Sequence, residues 1–476
     1  MVSIYGLDMN IAFVYMNNEK NVGRGAGYVA GAIINAGYKL KFYDTLYSPI
    51  DTISHDIVHE KFDIFMISSM TMLFPEAIKL ICMVKEKKNI PVLVGGVHPT
   101  IEGRSILEQY KQIDFICIGE GESMAIDFLH SFGTDSLFGV QNLAYRRNGI
   151  VHANPSRPPE DLSKLPPFPW EFFPNESIVQ QGLGGFLYVT ASRGCPYNCT
   201  YCSNGIYLKQ YGKNYLRFKP IVHVIEELKF LNKKYSPRLF YFGDEMILSY
   251  PEKAVELFVT IKRELNVPYG FMCRVEYISP ELVDVLKRTG CQYASVGIEC
   301  GNEAFRLKYL NRKMSNQQIE YAFSMLKKAN IFTTSFNMIG YPFDNDDYLT
   351  EETIRLNKKI RPNNMQVSIF YPFPGTKLYE RCIKMDLIDI QKMKNTKEYF
   401  SESVLKGVSL RKKIKEINSL FNPHGFIFAF EFYRIKREFG LKKLIYLIEM
   451  FLRSKAFIRK IINKLPRSIK SFIKLA

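Results

Sequence analysis

The first 150 residues alternate short apolar runs with stretches of helical spacing. The pattern predicts strands over 10–15 (NIAFVY), 39–43 (KLKFY), 63–68 (DIFMIS), 91–94 (PVLV) and 114–118 (DFICI), with helices over 25–37 and near 75–87. Apolar runs of strand length separated by amphipathic stretches indicate a parallel sheet covered on both faces. A second alternating region spans 186–371. Its strand candidates are 186–192, 239–242, 269–274, 293–298, 332–338 and 366–370, with helices between them such as 221–233 and 316–328. Six such units suit an incomplete barrel, with functional residues at the carboxyl ends of the strands.

The fold class is therefore α/β: a doubly wound, Rossmann-like domain, a partial (β/α)6 TIM-type barrel, and a helical C-terminal region. Between 153 and 174 lie seven prolines, Pro155, Pro158, Pro159, Pro166, Pro167, Pro169 and Pro174. Such a segment reads as a semi-rigid connector. The expected division is 1–150, a linker over 151–182, a barrel over 183–395 and a basic helical region over 396–476.

Composition alters this picture little. At 476 residues the chain needs two or three domains, and 47% apolar with 23% charged residues is ordinary for a folded protein. No run of about 18 uncharged apolar residues occurs, so no membrane-spanning helix is expected. The start, MVSIYGLDMNIAFVYM, lacks the pattern of a secretory signal. A cytoplasmic enzyme is the expectation.

Charge is more informative. The net balance is +17, and residues 431–476 hold thirteen Lys/Arg against three Asp/Glu, a local balance of +10. One tail carries most of the excess, which argues against a nucleic-acid partner for the whole chain. Basic residues beside apolar ones at 441–451 and 457–462 suit helices resting on an anionic membrane surface, or a helical cap with a basic outer face.

Small and polar residues crowd the ends of three strands in the first region. These are Ser68, Ser69 and Thr71; then Gly95, Gly96 and His98; then Gly119, Glu120 and Gly121. Glycine lets backbone approach a ligand. Three such turns at equivalent strand ends suggest a ligand platform.

The chain has nine cysteines, and three stand together in Ser192-Arg193-Gly194-Cys195-Pro196-Tyr197-Asn198-Cys199-Thr200-Tyr201-Cys202. The C-x-x-x-C-x-x-C spacing follows a strand. Thiolates are the usual ligands of iron–sulfur clusters. Three of them can hold three irons of a cubane and leave the fourth open. Zinc is the alternative, but it usually takes four protein ligands, and the next histidine is His223.

This loop, with aromatic Tyr201 before its last cysteine, resembles the signature of the radical S-adenosylmethionine superfamily. The resemblance implies a [4Fe–4S] cluster on Cys195, Cys199 and Cys202. S-adenosylmethionine would chelate the open iron and be cleaved by one electron to a 5′-deoxyadenosyl radical. The electron would come from an external donor of flavodoxin or ferredoxin type. Gly243-Asp244-Glu245 is similar to the family's Gly-Gly-Glu element, with Asp244 in place of the second glycine. Arg274 is expected to meet the methionine carboxylate, Glu299 to approach the cofactor, and the turns containing Gly340 and Pro374 to line it. The first region, with VGGVHPT and IGEGE, resembles the cobalamin-binding domain of class B members. It lies closest to the branch of the anaerobic magnesium-protoporphyrin monomethyl ester cyclase. The nine strand-end residues above are its expected cobalamin contacts. A D-x-H-x-x-G motif, whose histidine ligates cobalt, is absent between residues 17 and 27.

The resemblance implies methylation, cyclisation or oxidation at a carbon centre of a small-molecule or lipid-like substrate. Two other readings stay open: a radical enzyme whose front domain no longer binds cobalamin, and a zinc-stabilised binding protein.

Overall fold

A computed structural model of the chain describes residues 8–20, 22–180 and 185–422, with scattered positions between 426 and 437. Seven strands form the first sheet: β1 (Asn10–Tyr15), β2 (Lys39–Asp44), β3 (Ile64–Ser68), β4 (Val92–Gly95), β5 (Phe115–Cys117), β6 (Leu143–Arg147) and β7 (Ile150–Ala153). Their order is β2-β1-β3-β4-β5-β6-β7. The first five are parallel, and β6 and β7 are antiparallel. Order 2-1-3-4-5 is doubly wound and reverses direction between β1 and β3, where such sheets bind ligands beyond their carboxyl ends. Ile11 to Val14 and Ile64 to Ile67 are buried, as expected of strands covered on both faces.

The connector is packed rather than extended into solvent. Phe168, Trp170 and Phe173 are buried in the core beneath helix Arg24–Asn35. A Cβ at Gly27 would strike the Phe168 ring, and one at Gly31 would lie 3.1 Å from Pro169. The two helix glycines therefore let the proline-rich segment dock closely.

The second sheet begins with β8 (Val179–Gln180), antiparallel to β9 (Phe186–Val189). A short antiparallel ribbon, β10 (Ser192–Arg193) with β11 (Arg217–Phe218), stands beside it. Then follow β12 (Leu239–Phe242), β13 (Tyr269–Cys273), β14 (Cys291–Glu299), β15 (Phe332–Ile339) and β16 (Asn364–Ile369). From β9 through β16 these strands pair in parallel and in chain order, a curled sheet resembling a partial barrel. Its interior is filled by aromatic rings whose polar tips are paired. Tyr241 donates to Ser295 at 2.8 Å, and Tyr293 meets Thr334 at 2.8 Å. Covering helices start at readable caps: Ser279 before Pro280–Thr289, and a Ser315/Gln318 capping box before Asn316–Lys328.

The described residues up to Phe421 pack as one compact unit. The basic segments expected at 441–451 and 457–462 lie outside the described residues. Among the described residues, no helix is long and apolar enough to cross a membrane.

Candidate active site

The carboxyl ends of both sheets line one cavity of about 500 Å³. Ser68, Gly95, Gly96, Gly119, Glu120 and Gly121 contribute from the first sheet. Thr190, Ser192, Gly243 and Glu245 contribute from the second, joined by Ser203, Asn204 and Tyr207 just after the cysteine loop. Phe13 on β1 and Met66 and Ile67 on β3 place the cavity at the point where the first sheet reverses direction.

The cysteine loop is held from several sides. Gly194 has φ +99°, and a Cβ there would collide with the Tyr215 carbonyl, so glycine is required. Thr200 Oγ1 donates to Tyr309 O at 2.6 Å, Asn311 Nδ2 donates to Asn198 O at 2.8 Å, and Cys202 N donates to Cys199 O at 3.1 Å. Cys195 and Cys199 are buried and Cys202 is half-buried. Burial pushes the Cys195 thiol up to about 11 and the Cys202 thiol up to about 12. The charge of Cys199 adds to both shifts, so the three sulfurs feel one another. Buried thiols of this kind give up their protons to metal rather than to solvent. A zinc ion would gather its ligands around one centre, whereas a cubane spreads them over three irons. Among the described residues, no three His, Cys, Asp or Glu side chains are arranged around a single-ion position.

Asp244 is turned into the protein. It is buried, accepts from Ala191 N at 3.0 Å and also holds Ser192 through its backbone N–H and hydroxyl. Burial pushes its carboxyl up to about 6. It anchors the entry to the cysteine loop, and the cavity is left to Gly243 and Glu245. Glu245 is exposed there and accepts from Gly194 N at 3.3 Å.

Arg274, expected at the methionine carboxylate, is engaged by three protein groups. Its guanidinium lies 3.6 Å from the centre of the Tyr197 ring, pairs with Glu276, and donates from Nη1 to Cys199 Sγ at 3.4 Å. Glu299 ends β14 at a register shift, with φ +69°, and faces Arg312 at 3.5 Å. Left-handed backbone at a glutamate costs about 1–3 kcal/mol and is typical of positions where function dictates geometry. Arg312 also donates to the Tyr201 hydroxyl at 3.2 Å, so Tyr201 and Glu299 share one buried cation. Of the expected cluster and S-adenosylmethionine residues only Gly243 and Glu245 line the cavity; Cys195, Cys199, Cys202, Tyr201, Asp244, Arg274, Glu299, Gly340 and Pro374 do not. At Gly340, φ is +77° and an added Cβ would meet Leu410. Pro374 is buried, and a Cβ on the next residue, Gly375, would lie 2.8 Å from Ile206.

In the front sheet, Ser69, Thr71 and His98 do not line the cavity. Ser69 N donates to Gly95 O at 2.9 Å. His98 packs on Phe74 with ring centres 4.2 Å apart, and burial lowers its imidazole to about 4. The Glu120 carboxylate is fully engaged by the ribbon: Arg217 reaches it at 2.6 Å and 2.7 Å, and Arg193 at 3.2 Å. Arg193 also pairs with Glu122 at 2.6 Å. Burial opposes ionisation of Glu120, but the two guanidinium groups prevail and hold it below the usual range. These contacts tie the end of β5 to the strand immediately before Cys195.

Sequence reading missed this clamp, along with Arg24, Tyr28 and Lys219. Buried Lys219 donates to the Tyr28 hydroxyl at 2.6 Å and to Thr190 O at 2.7 Å, and faces Glu227 at 3.5 Å. Arg193 was visible inside the cysteine segment. The others lie on elements whose meeting nothing local announces.

Residues 189–356 match the family model of the Radical SAM superfamily, and residues 21–129 match that of the B12 binding domain. The chain is a radical S-adenosylmethionine enzyme with a cobalamin-binding domain. It is 27% identical over 425 residues to an uncharacterized methyltransferase of Pyrococcus horikoshii, covering 85% of this chain and 91% of the relative. It is 25% identical over 410 residues to the anaerobic magnesium-protoporphyrin IX monomethyl ester cyclase of Rubrivivax gelatinosus, covering 81% and 72%. In fold it resembles the radical S-adenosylmethionine methyltransferase TsrM of Kitasatospora setae, with a TM-score of 0.66 at 14% identity over 79% of this chain and 75% of that one.

The cofactors of this radical S-adenosylmethionine enzyme are a [4Fe–4S] cluster, S-adenosylmethionine and cobalamin, and the residues fit them. Two buried thiols and one half-buried thiol on one hydrogen-bonded loop suit the cluster. The turns at Gly95-Gly96 and Gly119-Glu120-Gly121 put mostly bare backbone on the cavity wall, which suits a broad flat macrocycle.

Proposed function

We propose that this enzyme methylates or oxidatively remodels a carbon centre of a small or lipid-like metabolite. The observation that carries the reading is a cavity lined from both sheets, because it runs from the front-sheet turns to Gly243, Glu245 and the residues Ser203 and Asn204 that follow the cysteine loop. Phe13, Val29, Met66, Leu93 and Met124 make the front-domain side of that lining largely apolar, which suits a cobalamin held there. The similarity to a methyltransferase and to a ring-forming cyclase supports both outcomes.

Cys195, Cys199 and Cys202 would hold the cluster, Gly243 and Glu245 would receive the methionine amino group, and the front-sheet glycines would underlie cobalamin. When bound, the cluster supplies the electron that cleaves S-adenosylmethionine to a carbon radical, and cobalamin supplies a methyl donor. The chain's own part is positional. Asp244 and Gly194 set the loop, the Glu120 clamp sets the front strand ends against it, and the apolar walls exclude water. An external flavodoxin- or ferredoxin-type protein would deliver electrons in the cytoplasm. The basic tail would allow peripheral membrane contact.

The test is an anaerobic assay for 5′-deoxyadenosine and S-adenosylhomocysteine with reconstituted enzyme. Both products together indicate methylation, and deoxyadenosine alone indicates cyclisation or oxidation. Neither product, from a chain with a full cluster, would overturn the proposal.

A further inference from the structure

We infer that Arg274 tunes the reduction potential of the cluster through Cys199. The inference rests on the three-cysteine cluster assigned above and concerns a residue that resemblance alone sends to the methionine carboxylate.

Arg274 follows β13 and is 4% exposed. Each part of its guanidinium is committed. Nε donates to Glu276 Oε1 at 3.1 Å, and Nη2 donates to the same oxygen. One face covers the Tyr197 ring, inside the cysteine loop itself. Nη1 donates to Cys199 Sγ at 3.4 Å. A planar group held by a carboxylate, a ring and a sulfur has little freedom to turn toward another ligand.

Hydrogen bonds and charge at the sulfurs are principal determinants of iron–sulfur potentials. Reduction adds negative charge to the cluster and its thiolates. A buried cation donating to one thiolate stabilises the reduced state more than the oxidised one, so it raises the potential. Glu276 opposes this effect. It lies beside the same guanidinium, and although burial works against its ionisation, the Arg274 hydrogen bond and charge hold its carboxyl below the usual range. The pair thus gives two variants with opposite expected signs, which a merely structural role for Arg274 does not predict.

The experiment is an electron-paramagnetic-resonance redox titration of the full chain, anaerobically reconstituted with iron and sulfide. Wild type is compared with Arg274→Gln, Arg274→Lys and Glu276→Gln, and S-adenosylmethionine affinity is measured in parallel. The expected result is a more negative potential in Arg274→Gln, a smaller negative shift in Arg274→Lys and a positive shift in Glu276→Gln. S-adenosylmethionine affinity should change by less than about threefold, under 1 kcal/mol. Unchanged potentials with a tenfold or greater loss of affinity would instead make Arg274 a carboxylate clamp and overturn the inference. So would loss of iron from all three variants, which would make the pair an assembly element. A wild-type chain that takes up no cluster would overturn the underlying assignment itself.

Discussion

The strand ends of the two sheets meet at one cavity but are built in opposite ways. In the front sheet the turns at Gly95-Gly96 and Gly119-Gly121 offer backbone, and their one conspicuous carboxylate, Glu120, is bound by arginines of the other region. In the barrel the ends carry Asp244, Arg274 and Glu299, which lie behind the cavity wall and are each tied to a neighbour by hydrogen bonds or an ion pair. The difference follows from what each must hold. A broad macrocycle needs clearance, which glycine provides. A charged cluster and a zwitterionic ligand need fixed charges nearby.

Substitutions at the barrel side should break this division most sharply. Cys199→Ala should abolish deoxyadenosine formation and the cluster's visible absorbance while leaving cobalamin uptake within about twofold. Equal loss of both cofactors would show that the regions are not separable. Next in size is Glu120→Ala, which leaves half-buried Arg217 without its carboxylate and Arg193 with Glu122 alone. Losing charge-assisted hydrogen bonds of this kind costs about 1.5–3 kcal/mol, so a fall in the denaturant midpoint is expected. A midpoint within error of wild type would remove the clamp from the account.

Smaller still is Gly96→Ala. Its φ of +105° and the Ser69 carbonyl, 2.6 Å from an added Cβ, make alanine strained by about 1–3 kcal/mol. Cobalamin affinity should fall while iron content stays constant. The mildest prediction concerns pH. His98 is held below its ordinary range, at about 4, so the folded state resists protonation that the unfolded chain accepts. Its contribution is complete above about pH 6.5 and is lost as pH falls toward 4. His98→Phe should therefore flatten the decline in stability across that window, as followed by thermal melts.

Much of the fold was legible because buried parallel strands leave continuous apolar runs. The expected strand 10–15 coincides with β1, and the helix expected at 316–328 coincides with Asn316–Lys328. Hairpin β6–β7 went unread: the buried run of β6 is only Leu143 to Tyr145, and β7 is largely exposed. In the candidate site, the residue types were readable but their partners were not. Glu120 meets Arg217 across 97 residues of sequence, and Arg274 meets Cys199 across 75. Charge pairing over such separations leaves no local pattern. Glu120 is taken up by the arginine clamp, Asp244 holds the backbone of the loop entry, and His98 packs on Phe74. The placement of Gly340 beside Leu410 depends likewise on a segment 70 residues onward.

The shared cavity is the claim on which the rest stands, and magnetic coupling tests it directly. Cobalamin in its paramagnetic cob(II) form and the one-electron-reduced cluster would be generated together in the same chain. Their resonance spectrum would then be compared with those of the singly loaded forms. Cobalamin in a cavity of about 500 Å³ and a cluster on the loop just before Ser203 and Asn204 of its wall should split or broaden each other's signals and speed their relaxation. A spectrum equal to the sum of the two separate signals, with unchanged relaxation, would contradict the account.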